Sequence, residues 1–162
     1  MSNIESKSKK ILAGTEGFKI IADGVYILPG QGNALAVETD NAVILMDSGG
    51  GGRMSANMIQ LLRKHTDKPV SAICYSHGHL GYNDGASEWI SHNQDRHDAV
   101  PLIIAHKNCL HRYRRYRETQ GLQTILAQMQ FPGLPLRFNL VDPDLTFSDR
   151  LSLSTQGRRI EL

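Results

Sequence analysis

An α/β fold, a mixed sheet covered by helices, is what this sequence predicts, and three observations carry the prediction. Short β-type runs open the chain: "GVYILPG", "NALAVET" and "AVILMD". Apolar runs then alternate with stretches of helical period, which points to strands laid side by side through helical crossovers. The 162 residues are 40% hydrophobic, enough for the core of one domain.

The elements follow in order. Residues 1–15, beginning "MSNIESKSKK", are polar and read as a tail ahead of a domain spanning 16–162. Asp40-Asn41 is a turn pair between the second and third β runs. The third run ends in Asp47 and leads into four glycines, Gly49 to Gly52. In "RMSANMIQLLRKH", Met54, Met58, Leu61 and Leu62 fall at i, i+4, i+7 and i+8, so the segment is an amphipathic helix. Pro69 closes that region, and "VSAICYS" is a buried strand running into His77. "ASEWI" is a short helix, "SHNQDRHDA" a polar loop and "VPLIIAH" a strand. Helix formers dominate Lys107 to Gln130, with Gly121 as an interruption. "FPGLPLRF" is irregular, and "DRLSLSTQGRRIEL" reads as a hairpin turning at Gln156-Gly157.

The bulk numbers narrow the function classes. A formal charge of +2 gives no ground for nucleic-acid or membrane binding. No run reaches the roughly 20 apolar residues of a membrane span, and the N-terminus has no apolar signal core. Cys74 and Cys109 form no C-x-x-C pair, which excludes a cysteine zinc site. Both sit in apolar surroundings and read as small buried hydrophobes, a pattern that fits a reducing, cytoplasmic location.

The chemistry concentrates in "YSHGHLGYNDG", residues 75–85. In extended backbone, side chains at i and i+2 point the same way, so His77 and His79 can aim two imidazoles at one ion. Gly78 allows tight backbone between them. Asp84 is either a further carboxylate ligand or the turn residue of "NDG". The glycine run precedes a helix N-terminus, which is either an anion site or a flexible turn; it lacks the lysine and hydroxyl of a P-loop. "HRYRRYR", residues 111–117, is either a basic surface for an anion, with Arg112 and Arg115 as contacts, or a solvated helix with tyrosines packed beneath. His65 suits the end of its helix, while His92 and His97 read as solvated loop residues.

The order of these features resembles the metallo-β-lactamase superfamily. It runs apolar strand ending in Asp, glycine loop, helix, Pro, strand, then Ser-His-x-His. His77, His79 and Gly85 match that family's H-x-H-x-D-H motif and the glycine after it, and Asp47 matches its strand-end aspartate. "IIAHKNCLHRYRRYRETQGLQTILAQMQF" is similar to the alkyl-sulfatase-like branch. The resemblance implies the N-terminal half of an αββα sandwich. It also implies a metal-dependent hydrolase acting on an ester or sulfate ester, with zinc as cofactor. In such enzymes one ion takes three histidines, two of them from H-x-H. The other takes the Asp and His of D-H plus a later histidine. Here the D-H positions are Gly81 and Tyr82, and the family's later ligand segments lie beyond residue 162. One zinc at most is therefore expected, held by His77 and His79 with Asp47, Gly78 and Gly85 in support.

Two function classes remain. One is a hydrolase whose site is incomplete or inactive as this chain alone. The other is a non-catalytic half-domain acting through packing. A half-sandwich leaves an apolar sheet face open, so a homodimer or a covering partner is expected.

Overall fold

The computed structural model describes residues 17–133, 136, 138–155 and 157–162. The expected tail, residues 1–15, lies outside these, as does Gln156 of the expected turn. Among the described residues there are nine strands and four helices. Strands β1 (Lys19–Ala22), β2 (Val25–Leu28), β3 (Ala34–Glu38) and β4 (Val43–Met46) form an antiparallel meander. Helix α1 (Arg53–Arg63) then crosses to β5 (Val70–Tyr75), and α2 (Ala86–Asp95) crosses to β6 (Leu102–His106). Helices α3 (Asn108–Glu118) and α4 (Gln120–Gln130) precede the short edge strand β7 (Leu145–Phe147). Strands β4 to β7 pair in parallel, which completes a seven-stranded sheet ordered β1 to β7. Strands β8 (Ser152–Thr155) and β9 (Arg158–Glu161) form a separate antiparallel hairpin.

Period-two burial explains the layering. One face of the sheet carries Leu28, Ala36, Leu45, Ile73, Tyr75 and Ile103. Against it pack Met58 and Leu62 of α1, Trp89 of α2 and Tyr113 of α3. The other face carries Ile44, Ala72, Cys74 and Ile104, which meet Leu151, Leu153, Ile160 and Leu162 of the hairpin segment. That face is thus partly covered from within the chain. Helix α4 is different: none of its residues is buried, and Leu122, Ile125, Leu126 and Met129 are exposed.

Three local readings differ from the sequence expectation. "SHNQDRHDA" is helical as far as Asp95, because Trp89 and Asn93 are buried one turn apart and Asn93 Nδ2 donates to the carbonyls of Val70 and Ala99. His92 is therefore a helix residue that accepts from Arg63 Nε at 2.8 Å. The helical stretch after Lys107 breaks at Thr119, before Gly121, with the Thr119 hydroxyl bonded back to the Arg115 carbonyl. His65 lies outside α1 and stacks on Phe18, ring centroids 4.3 Å apart.

Candidate metal centre

Ligand sites in sheets with parallel strands form beyond the carboxyl ends of those strands. Here β4 and β5 are neighbours and parallel, so the residues that follow them meet. Asp47 follows β4 with φ of 63°, an uncommon conformation for a residue other than glycine, and its N–H still donates to the Cys74 carbonyl at 2.8 Å. This turn aims the carboxylate across at the end of β5. Asp47 Oδ1 accepts from the Ser76 backbone N–H at 2.8 Å and from Asn83 Nδ2 at 3.0 Å. Asp47 Oδ2 accepts from the Ser76 hydroxyl at 2.5 Å.

Asn83, wholly buried, ties the rest of the loop together. Its Nδ2 also donates to the His77 carbonyl, and its Oδ1 accepts from the Ser48 N–H. Asn83 was not singled out in the sequence, and Ser76 entered only as the serine of Ser-His-x-His. The available signal was the Asn-Asp-Gly turn beside the histidines. Ser48 contributes through its backbone; its hydroxyl is buried and has no hydrogen-bond partner among the described residues.

His77 and His79 are both exposed, with ring centroids 6.1 Å apart. Beside both stands Tyr82, in edge contact with each, at 4.6 Å from His77 and 5.6 Å from His79. Gly78 lets the loop lie close to α3: a Cβ there would come within 3.3 Å of Arg112 and of the Cys109 backbone. Gly85 sits tighter still, since a Cβ would meet Ser55 Oγ at 1.9 Å. Asp84 is 5% exposed, and its Oδ1 accepts from the Gly81 N–H at 3.0 Å. Burial first, and then the charge of Glu88, push its carboxyl up to about 6, against the pull of the Gly81 N–H and His79.

The donor set can be weighed against a metal ion. Two imidazoles suit the first two positions on one first-row ion. A catalytic zinc takes at least three protein ligands, and among the described residues no group of three histidine, cysteine or acidic side chains is placed to hold an ion. Two histidines fall short of that number, and the Tyr82 ring packs against both of them.

A cavity of about 600 Å³ opens beside His79. Gly50 to Gly52 and Arg53 line one wall, and Leu126 and Phe131 another. Two of the glycine amides are spent on protein partners: Gly51 N–H donates to Ser55 Oγ and Gly52 N–H to Glu88 Oε1. The run serves as a packed turn. Of the two candidate arginines, Arg112 reaches the site. Its side chain lies over Gly78 and its Nε donates to the hydroxyl of Tyr116, which lines the cavity. Arg115 is exposed on α3 and is not among the described residues that line the cavity.

The sequence profile of the metallo-β-lactamase superfamily matches residues 27–159. The chain belongs to that superfamily.

Solved superfamily structures share the fold at low identity. The sec-alkylsulfatase Pisa1 from Pseudomonas sp. is 18% identical with a TM-score of 0.70, covering 90% of this chain and 26% of that one. The subclass B3 metallo-β-lactamase BJP-1 of Bradyrhizobium japonicum is 14% identical with a TM-score of 0.62, covering 94% and 53%. A metallo-β-lactamase from Pontibacter korlensis is 18% identical with a TM-score of 0.53, covering 90% and 58%. The chain thus spans between a quarter and three fifths of these proteins. No curated protein sequence matches it significantly. Against the superfamily motif, His77 and His79 keep the H-x-H pair, while Gly81 and Tyr82 stand where Asp and His would be.

Proposed function

We propose that this chain forms the metal-loop half of a metallo-β-lactamase-type cleft for an ester or sulfate ester. It holds one zinc at most and does not sustain two-metal hydrolysis with its own residues. The observation that carries this reading is the Tyr82 ring, packed edge-on against both His77 and His79. A zinc ion, when bound there, would act as a Lewis acid toward a substrate oxygen. The chain's own contribution is positioning. Arg112 stands over the loop to meet an anionic head, and Leu126 and Phe131 offer an apolar wall to an alkyl tail.

A second reading has its own support. Helix α4 exposes Leu122, Ile125, Leu126 and Met129, as a half-domain would if a second copy or another partner covered it. The two free, buried cysteines suit a cytoplasmic setting for either reading.

Zinc content after exhaustive dialysis tests the first reading, in wild type and His77→Ala. Substoichiometric zinc lost altogether in the variant, with no turnover of sulfate esters or lactams, is the expected result. A tightly held zinc pair, or turnover that survives His77→Ala, would overturn it.

A further inference from the structure

Arg63 lies in the last turn of α1 and His92 in the last turn of α2. Arg63 Nε donates to His92 Nε2 at 2.8 Å. A guanidinium only donates, so His92 accepts there as a neutral ring with its proton on Nδ1. The arginine is anchored. Its Nη1 donates to the carbonyls of Thr66 at 3.2 Å and Lys68 at 2.6 Å, which holds the turn between α1 and β5. Its Nη2 is buried and has no hydrogen-bond partner among the described residues. His92 is the movable member of the pair. It is half-buried and lines a second cavity, of about 320 Å³, in the seam between the two helices. Ala56 and Ile59 of α1 form one side of that groove, and Glu88, Ser91 and Asp95 of α2 share the other with His92.

A proton on His92 Nε2 would set two N–H groups face to face. The charges around the ring are Arg63 from α1, Asp95 on its own helix, and Arg96 and Asp98 just after it, with Glu88 in the same groove. Three of these are engaged elsewhere: Arg96 Nε donates to Asp98 and its Nη2 to the Asp67 carbonyl, while Glu88 accepts from the Gly52 N–H. Asp95 is the carboxylate left for a cationic ring. Burial first, and then Arg63 and Arg96, hold the imidazole below its ordinary 6.5, against Asp95 and Asp98. We propose that His92 is an acid-released latch on the seam between α1 and α2. Neutral, its ring accepts from Arg63 and closes the seam; protonated, it leaves Arg63 and turns into the groove toward Asp95. Above 6.5 both folded and unfolded chains are neutral at this ring and nothing is lost. As pH falls below that, the unfolded chain takes the proton first, so the closed seam loses stability. The latch sits at the opposite end of α1 from Arg53, which walls the cavity beside His79. It uses no residue of the histidine loop and stands apart from the function proposed above.

Proton–nitrogen NMR reads both partners, the imidazole nitrogens of His92 and the Arg63 Nε–H, as pH is lowered from about 7.5 to about 5. In wild type, His92 should titrate below 6.5 with Nδ1–H as its neutral form. The Arg63 Nε–H signal should be sharp above that midpoint and be lost along with it. His92→Gln offers Arg63 a carboxamide oxygen that takes no proton, so the signal should persist across the whole range. Asp95→Asn should move the His92 midpoint further down, because the released ring loses its partner. A wild-type midpoint at or above 6.5 would overturn the proposal, as would an Arg63 signal that ignores the titration or is lost alike in both proteins. An unmoved midpoint in Asp95→Asn would overturn the open position of the ring. The buried Trp89 reports the fold by fluorescence. Acid unfolding of wild type alone supports the latch, and unfolding of wild type and His92→Gln at the same pH counts against it. Should His92→Gln fail to fold, the agreement of the two wild-type midpoints decides.

Discussion

Tyr82 rests its ring on Gly32: a Cβ built on that glycine would stand 2.2 Å from Tyr82 Cε1. The loop between β2 and β3 is therefore shaped to receive the tyrosine that borders both histidines. Gly32 also has φ of 69°, which an alanine tolerates poorly. Gly32→Ala should cost about 2–3 kcal/mol in urea unfolding. Adding Tyr82→Ala should recover part of that loss, because the clash is between these two residues.

Restoring the superfamily ligands should not rebuild a second metal site. Gly81 has φ of 87°, and a Cβ there would come within 3.2 Å of the Gln31 side chain. The double variant Gly81→Asp, Tyr82→His should bind no second zinc by calorimetry. It should also be less stable than wild type by about 1–3 kcal/mol. Two zinc ions bound at wild-type stability would contradict this.

Asp84 should make the protein less stable as pH rises. Its carboxyl is raised to about 6 in the fold, against 3.8 for the free group. Below about pH 4 both folded and unfolded forms hold the proton and nothing is lost. Between 3.8 and about 6 the unfolded chain gives up its proton while the folded one keeps it, so stability falls. Above that the full cost stands, about 2 kcal/mol once solvent reaching the cavity is allowed for. Asp84→Asn keeps an oxygen for the Gly81 N–H and should flatten this dependence in denaturant titrations across that range.

Asn83→Ala should cost about 2 kcal/mol, since it leaves the buried Ser48 N–H only its longer bond to the Tyr82 carbonyl at 3.3 Å and removes one donor to Asp47. Hydrogen exchange at the Ser48 amide should rise in that variant more than at amides of α2.

Substitutions on α4 should leave stability alone. Met129 is 74% exposed and Ile125 58%. Lysine at either position should change unfolding free energy by about 0.5 kcal/mol or less. The same changes should lower binding of an apolar dye, which reads the exposed face.

Much of this architecture is legible in the sequence, because period and turn chemistry are local. The apolar runs around Leu45, Ile73 and Ile104 are β4, β5 and β6, and the spacing of Met58 and Leu62 is α1. The family motif at His77 and His79 is legible for the same reason. What escaped depends on contacts far apart in the chain. Strand β1 carries no buried residue and β7 has three residues, so neither has a pattern to read. The extension of α2 to Asp95 is held by Asn93 reaching Val70, and the role of Ser76 exists only because Asp47 faces it from another strand.

That last contact joins residues 29 apart, through the Ser76 hydroxyl and its backbone N–H, at the tips of β4 and β5. Side chains alternate along strands, so sliding β4 past β5 by one position would turn Asp47 away from Ser76. The contact is thus a gauge of strand alignment: a chain that pairs these two strands out of step would keep both histidines and lose the carboxylate that pins their loop.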